Sequence, residues 1–242
     1  MKRTGWPGAV ALAKELLVVF VGLFAALQLD DWRERREQAK TETIYLHRLS
    51  EDLHAYVESL ELVIPTFESH RRAVQHVSDS LAAGRILDDD TALFEAGVIY
   101  VAHLPSIKTP SSAYQEMVAS GVFARLRSTE LQKAVAELYA TQAKVEANFS
   151  WWRQKPIQLE NAFQPYVEYY SVGQRVKSTD LRAEADEARA RYDFDELRAR
   201  TEIRNGYYWA ADTHSDWVEW STRLLELARA ADEAVTKELA KR

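Results

Sequence analysis

The sequence predicts an all-α protein in which an N-terminal transmembrane helix continues into a long stalk helix and an antiparallel helical bundle. Three observations lead to this fold class. The 242 residues include only 8 glycines and 6 prolines, the residues that interrupt helices most. Residues 9–29 are almost entirely apolar, and long segments after them repeat apolar residues at helical spacing. We therefore divide the chain into a membrane anchor, residues 1–38, and a helical bundle domain, residues 39–242.

Charge and cysteine content exclude several classes of function. Residues 41–242 hold 24 of the 31 basic and 32 of the 37 acidic residues, so this part of the chain has a net charge of −8. We expect no nucleic-acid binding, because such binding depends on neutralising phosphates. The chain contains no cysteine, which excludes disulfides, thiolate nucleophiles and cysteine-ligated metal sites.

The predicted span is Ala9–Leu29, whose 21 residues are interrupted only by Lys14, Glu15 and Gln28. At a rise of 1.5 Å per residue it covers about 30 Å, the hydrocarbon thickness of a bilayer. Two tryptophans, Trp6 and Trp32, bracket the span and are expected to anchor it at the two interfaces.

Two alternatives to a retained span are a cleaved signal peptide and a buried core helix. The strictly apolar run, Leu16–Leu27, has only 12 residues and would suit either. Cleavage is poorly specified, because a cut after Ala25 or Ala26 places a large side chain where signal peptides carry a small one. We expect Met1 and the span to be retained.

One face of the span is predicted to contact a partner helix. Helical spacing aligns Glu15, Gly22 and Ala26. The small residues at 22 and 26 would allow close approach of a second helix, and a carboxyl group in lipid is costly unless it faces a partner. The alternative is that Glu15 marks the lipid interface and that Gly22 has no role in contacts.

The bundle is predicted from two apolar seams. The first spans five heptads, consists of Leu46, Leu49, Leu53, Tyr56, Leu60, Val63, Phe67, His70, Val74, Val77 and Leu81, and passes a kink at Pro65 before Gly84 ends the helix. The second lies between about Thr201 and Ala240, where Asn205-Gly206 could interrupt its start. Its positions are Ile203, Tyr207, Ala210, Trp217, Leu224, Ala231 and Val235.

Shorter elements are predicted between the two seams. Asp88–Thr91 caps a helix that reaches about Ala102, and Ser112 with Gln115 forms a capping box for a helix closed by Gly121. Ser128 caps a long helix whose inner side carries Leu131, Val135, Leu138 and Val145 and which Pro156 and Pro165 bend or interrupt. Residues 170–174 are interpreted as a turn, 177–193 as a solvated connection, and Asp193 with Glu196 as a further cap.

No catalytic, cofactor-binding or metal-binding residue is predicted. Glu51-x-x-His54 is half of a di-iron motif, but no other histidine has a glutamate three residues before it, so we interpret His54 and His47 as surface residues. The aspartates at 88–90 lack the spacing of a calcium loop. Nine aromatic residues are interpreted as packing residues, with an apolar ligand pocket or a protein-binding patch as alternatives: Trp151, Trp152, Tyr169, Tyr170, Tyr207, Tyr208, Trp209, Trp217 and Trp220.

Two stretches resemble an uncharacterised bacterial family of membrane-anchored proteins, domain-of-unknown-function family 6090. The first is "ELLVVFVGLFAALQLDDWRERREQAKTETIYLHRLSEDL" and the second is "SSAYQEMVASGVFARLRSTELQKAVAELY". The matching positions in the first are Glu15, Ala26-Leu27-Gln28, Trp32, Tyr45-Leu46, Leu49 and Asp52-Leu53. The chain departs from the family pattern at Asp30-Asp31, usually an asparagine pair, and at Leu138-Tyr139, usually a tyrosine pair. The resemblance implies a topology but no activity.

The positive charges that flank the span do not decide on which side of the membrane the body lies. Four positive charges lie before or at the start of the span and four follow it: the Met1 amine, Lys2, Arg3 and Lys14, then Arg33, Arg35, Arg36 and Lys40. Because Lys14 lies at the edge of the span, this count is nearly balanced or slightly favours a cytoplasmic body. The family resemblance implies the opposite, a cytoplasmic N-terminus and a periplasmic body at the bacterial inner membrane, and we expect that arrangement.

The sequence therefore predicts a non-enzymatic, single-pass membrane protein that contacts protein partners through its transmembrane helix and its bundle. It would act as a homo-oligomer or as an accessory subunit of a larger membrane complex. The alternative is a membrane-anchored, ligand-binding sensory bundle that signals through a partner.

Overall fold

The computed structural model describes residues 7–104, 112–171 and 188–242, with the side chains of residues 7–15, 18, 171 and 188 excepted. The α-helices are α1 (Pro7–Ala83), α2 (Thr91–Tyr100), α3 (Ser112–Ala119), α4 (Val122–Arg125), α5 (Thr129–Phe163), α6 (Phe194–Ala199) and α7 (Thr201–Leu239). Two 3₁₀ turns, Leu87–Asp89 and Gln164–Tyr166, and two strands, β1 (Val167–Ser171) and β2 (Ala188–Tyr192), complete the described chain. The fold is mostly helical, as predicted.

The first helix is a single element of 77 residues that includes Pro65. Ten of the eleven predicted seam positions in it are buried, and Val63 is half-buried. Burial begins at Leu46. From that residue onwards, the helix predicted as a stalk packs as one of the helices of the bundle. The side chains described between Leu16 and Thr41 are all exposed.

The last helix, α7, packs antiparallel against both α1 and α5. Near its C-terminus Asp232 approaches His54 of α1, whereas Trp217, further towards its N-terminus, packs on Phe67. The same tryptophan ring lies 4.8 Å from the ring of Phe149 in α5. All seven predicted seam residues of α7 are buried, because they face these two neighbours.

Two predicted interruptions of the long helices do not occur. Asn205-Gly206 lies within α7, and a Cβ atom added at Gly206 would come within 2.4 Å of Leu159 Cδ1. The glycine therefore lets α5 approach rather than breaking the helix. Pro156 lies within α5, which continues to Phe163, and Pro165 falls in the 3₁₀ turn that follows.

Most predicted helix ends are confirmed. Gly84 has a φ of 77° after the last residue of α1. The side chains of Asp90, Ser128 and Asp193 accept hydrogen bonds from backbone N–H groups in the first turns of α2, α5 and α6, at 2.9, 3.2 and 3.0 Å. At the start of α3, by contrast, the backbone N–H of Ala113 donates to the carboxylate of Asp52 in α1 (3.2 Å).

A pair of short strands corrects the interpretation of residues 170–171 as part of a turn and of residues 188–192 as part of a solvated connection. β1 and β2 pair antiparallel, with Val167 opposite Tyr192, while residues 172–187 lie outside the described chain. Val167 and Ala190 are buried, and the N–H of Ala190 donates to Glu95 of α2 (2.8 Å). Contacts with α2 thus favour a strand that five residues alone could not predict.

Candidate functional site: the exposed apolar segment of α1 and the base of the bundle

The part of α1 that precedes the bundle exposes large apolar side chains on every side. Between 54% and 67% of each side chain is exposed for Leu16, Leu17, Val19, Phe20, Val21, Leu23, Phe24, Leu27, Leu29 and Trp32. Neighbouring residues of a helix point in different directions around its axis. The exposed apolar side chains from Leu16 to Val21 therefore do not lie on a single face of α1. We call Leu16–Trp32 the apolar segment. Contiguous apolar surface of this extent marks an interaction site.

The predicted partner face of the span is open at the positions that the structure describes. A Cβ atom added at Gly22 would have no atom within 4 Å, and Ala26, one turn later, is exposed. The side chain of Glu15 and the whole of Trp6 lie outside the described residues. The role of this face in partner contacts stays a prediction.

Polar residues overlap the end of the apolar segment and continue beyond it. The guanidinium carbon of Arg36 lies 5.3 Å from the centre of the Trp32 ring, a cation–π contact. Asp31 and Arg35 form an exposed ion pair at 3.7 Å one turn apart. Trp32 therefore stands close to the boundary between apolar and charged helix surface, and its role as an interface anchor stays a prediction.

Across the described residues, none of the helices combines the length and the apolar character needed to cross a membrane. Of the predicted span, residues 9–15 and 18 have side chains outside the described set.

Two adjoining clefts of about 320 and 800 Å³ lie where α1 enters the bundle. Their walls combine residues 34–44 of α1 with α4, Arg127 and the C-terminal end of α7. We call the basic residues of these walls the basic collar: Arg35, Arg36, Lys40, Arg125, Arg127, Lys241 and Arg242. The acidic residues of the same walls are Glu34, Glu37, Glu42 and Glu238, so the clefts carry a net charge of +3 in a chain of net −6.

Ion pairs occupy most of the acidic groups at the clefts. Arg242 contacts Glu42 at 2.6 Å and Glu238 at 3.6 Å. Lys40 donates to Glu37 at 2.9 Å, and this hydrogen bond lowers the pKa of the Glu37 carboxyl.

Three arginines of the basic collar have no carboxylate partner among the described residues. One of them, Arg36, lies against the Trp32 ring, and the other two are Arg125 and Arg127. Arg125 donates to the carbonyl oxygens of Gly121 and Ser120, each at 3.2 Å. Arg127 lines both clefts, and no ion pair involves it within the described chain. These two guanidinium groups are therefore the ones best placed to meet an external anion.

Three histidines meet between α1, α2 and α7. His70 stacks on Tyr100, with ring centres 4.2 Å apart, and meets His103 edge to face at 5.3 Å. His214 Nε2 lies 3.0 Å from the carbonyl oxygen of Val101 and donates to it. Burial lowers the pKa of both His70 and His214 to about 4, so both are neutral at pH 7. Among the residues with described side chains, no three metal-ligating groups are arranged to hold a metal ion.

The nine aromatic residues divide into two groups. Tyr207 and Trp217 are buried, and Trp152 and Trp220 are half-buried against the core, which confirms the packing interpretation for these four. The remaining five are exposed: Trp151, Tyr169, Tyr170, Tyr208 and Trp209. None of the nine lines either cleft at the base of the bundle.

The half-motif for a di-iron site lies on the bundle surface. Glu51, His47 and His54 are exposed, as predicted. His54 has the carboxylates of Glu58 and Asp232 at 3.6 and 3.8 Å.

Comparison with known protein families, with curated proteins and with solved structures finds no match to this chain.

Sequence reasoning missed the basic collar and the histidine cluster. The collar joins residues near 35–44, 125–127 and 241–242, and no local pattern links these three segments. The positions of two of the histidines in the sequence could have indicated the histidine cluster. His70 occupies a seam position, and His214 falls between Ala210 and Trp217 in the register of the α7 seam.

Proposed function

We propose that this protein is a non-enzymatic, single-pass protein of the bacterial inner membrane, held by Ala9–Leu29, whose helical bundle binds protein partners. It acts as a homo-oligomer or as an accessory subunit of a larger membrane complex. The observation that supports this proposal most strongly is the apolar segment, which the bundle leaves uncovered.

The pattern of exposure favours lipid over a protein partner as the main contact of this segment. Burying one large apolar side chain is worth roughly 1.5–3 kcal/mol, so leaving ten of them in water is strongly unfavourable. A single partner helix would cover one stripe of α1. Hydrocarbon covers a helix from all sides, which suits a segment that is apolar all round.

The continuity of α1 supports a mechanical link between the membrane and the bundle. The apolar segment and the buried seam that starts at Leu46 belong to one helix, with no described break between them. A partner that contacts the span at Gly22 and Ala26 would therefore fix the position of the bundle. A partner on the bundle would likewise orient the span.

The same proposal places the N-terminus in the cytoplasm and the body in the periplasm. The positive charges on the two sides of the span are nearly balanced, and the resemblance to the membrane-anchored family is what favours this arrangement.

The test is membrane partitioning of two variants that carry the same substitution on the same helix. Leu23 and Leu62 are both exposed residues of α1, at 60% and 74%, but only Leu23 lies in the predicted span. Arginine near the centre of a span costs roughly 2.5–3.5 kcal/mol on insertion scales. We expect Leu23→Arg to shift the protein out of alkali-washed membranes, while Leu62→Arg stays with them. Extraction of the wild-type protein by alkali would contradict the proposal.

A further inference from the structure

We propose that the basic collar binds the phosphate groups of anionic phospholipids in the membrane that holds α1. The inference rests on the proposed membrane anchor, because the anchor is what brings the collar close to lipid headgroups.

The position of the collar suits this role. Arg35 and Arg36 follow Leu29 by six and seven residues, which places them about 10 Å along the helix from the end of the predicted span. The headgroup layer extends roughly 5–7 Å beyond the hydrocarbon on each side. Arg125 and Arg127 line the same cleft as Arg35, so they lie within about one Debye length of the headgroups.

The charge of the collar has the sign and the chemistry that phosphate requires. The cleft walls have a net charge of +3, and Glu42 and Glu238 are already paired with Arg242. Of the three arginines without a carboxylate partner, Arg36 lies against the Trp32 ring. The planar guanidinium groups of the other two, Arg125 and Arg127, can donate two parallel hydrogen bonds to a phosphate. Lipid is the favoured source of phosphate because the α1 wall of both clefts directly follows the apolar segment.

The experiment measures lipid binding by the full-length protein in detergent, using native mass spectrometry with added phosphatidylglycerol or phosphatidylcholine. The test variant is R125Q/R127Q. The control is R72Q/R85Q, which removes two exposed arginines of the bundle that line neither cleft. We expect phosphatidylglycerol to bind more tightly than phosphatidylcholine, and the test variant to lose roughly fivefold in affinity for each guanidinium removed, as near an anionic surface. The control should bind like the wild type.

Three results would overturn the proposal. The first is equal binding of the two lipids, and the second is an equal loss in test and control variants. The third is displacement of phosphatidylglycerol by millimolar inorganic phosphate, which would make the collar a site for free anions.

Flotation with vesicles of phosphatidylcholine alone tests the membrane anchor without the basic collar. Such vesicles carry no net negative charge, so binding to them does not depend on anionic lipid. Flotation of both the wild type and R125Q/R127Q supports the anchor, whatever the collar binds. If neither floats, the anchor is wrong and the collar proposal fails with it.

Discussion

Arg242 and Glu42 form a salt bridge of 2.6 Å that joins the C-terminal end of α7 to α1 at the base of the bundle. Only 19% and 14% of the two side chains are exposed, and Arg242 also donates to Thr43 Oγ1 (3.2 Å). The pair holds the two longest helices together at the point where α1 leaves the bundle.

We therefore expect Arg242→Ala to lower the free energy of unfolding by about 1–2 kcal/mol, because Glu42 would lose its charged partner in a largely buried position. Urea denaturation of the detergent-solubilised protein measures the change. The comparison is Arg229→Ala, which removes an ion pair of equal length to Glu61 whose side chains are about half exposed. That pair should contribute less than about 1 kcal/mol. Equal effects of the two variants would contradict the prediction.

The contact between α1 and α2 depends on Gly97. A Cβ atom at this position would lie 2.2 Å from the backbone oxygen of Ala73, which cannot move without bending α1. We expect Gly97→Ala to destabilise the bundle by about 1–3 kcal/mol or more, as overpacked cores do. Gly22→Ala, which adds the same methyl group in open space, should be neutral or slightly stabilising. A neutral Gly97→Ala, judged by the thermal midpoint, would show that the two helices are not in close contact.

Stability should fall in acid because of the buried histidines. The folded-state pKa of His70 and of His214 is about 4, below the ordinary value of 6.5, so the unfolded chain binds more protons between these values. The full stability is present above about pH 6.5 and is lost progressively towards pH 4. Each histidine accounts for about 3 kcal/mol by this linkage.

His70→Phe tests this assignment, since it keeps a ring against Tyr100 and removes a titrating group. We expect a shallower dependence of the unfolding free energy on pH between 6.5 and 4 than in the wild type. His54→Gln, at an exposed position, should leave the slope unchanged. An unchanged slope in His70→Phe would place the acid sensitivity elsewhere.

The partner face of the span gives a further prediction. Gly22→Leu should reduce in-membrane crosslinking to partner helices while leaving insertion intact, because it adds apolar bulk where two helices would meet. Val21→Leu, at a neighbouring position on another face, should not. Glu15→Leu should have a smaller effect, since inter-helix hydrogen bonds in membranes average only about 0.6 kcal/mol. If neither Gly22→Leu nor Glu15→Leu alters crosslinking, the span is a simple tether.

Much of the fold could be predicted because its determinants are local. The seam from Leu46 to Leu81 repeats every seven residues, and the caps at Asp90, Ser128 and Asp193 lie next to the helices that they begin. Gly206 does not interrupt α7, because its effect depends on Leu159 of α5, which packs against it. The pairing of β1 and β2 likewise depends on a distant element, since Glu95 of α2 accepts a hydrogen bond from the backbone N–H of Ala190 in β2.

Of the candidate site, only the part that is continuous in sequence could be predicted. The apolar segment is continuous in sequence, so its position and the boundary at Trp32 follow from hydropathy. The basic collar and the hydrogen bond from His214 to the carbonyl oxygen of Val101 join residues more than 80 positions apart. No single sequence reveals such pairs without the fold that brings them together.

The measurement that tests the account most directly is labelling of single cysteines in intact spheroplasts with a membrane-impermeant maleimide. The chain contains no cysteine, so each introduced thiol reports only on its own position. Leu23→Cys lies in the middle of the predicted span, and Ser150→Cys lies at an exposed position of the bundle. We expect rapid labelling at position 150, in the periplasm, and none at position 23 until detergent is added. Labelling at position 23 as fast as at position 150 would contradict a span in lipid.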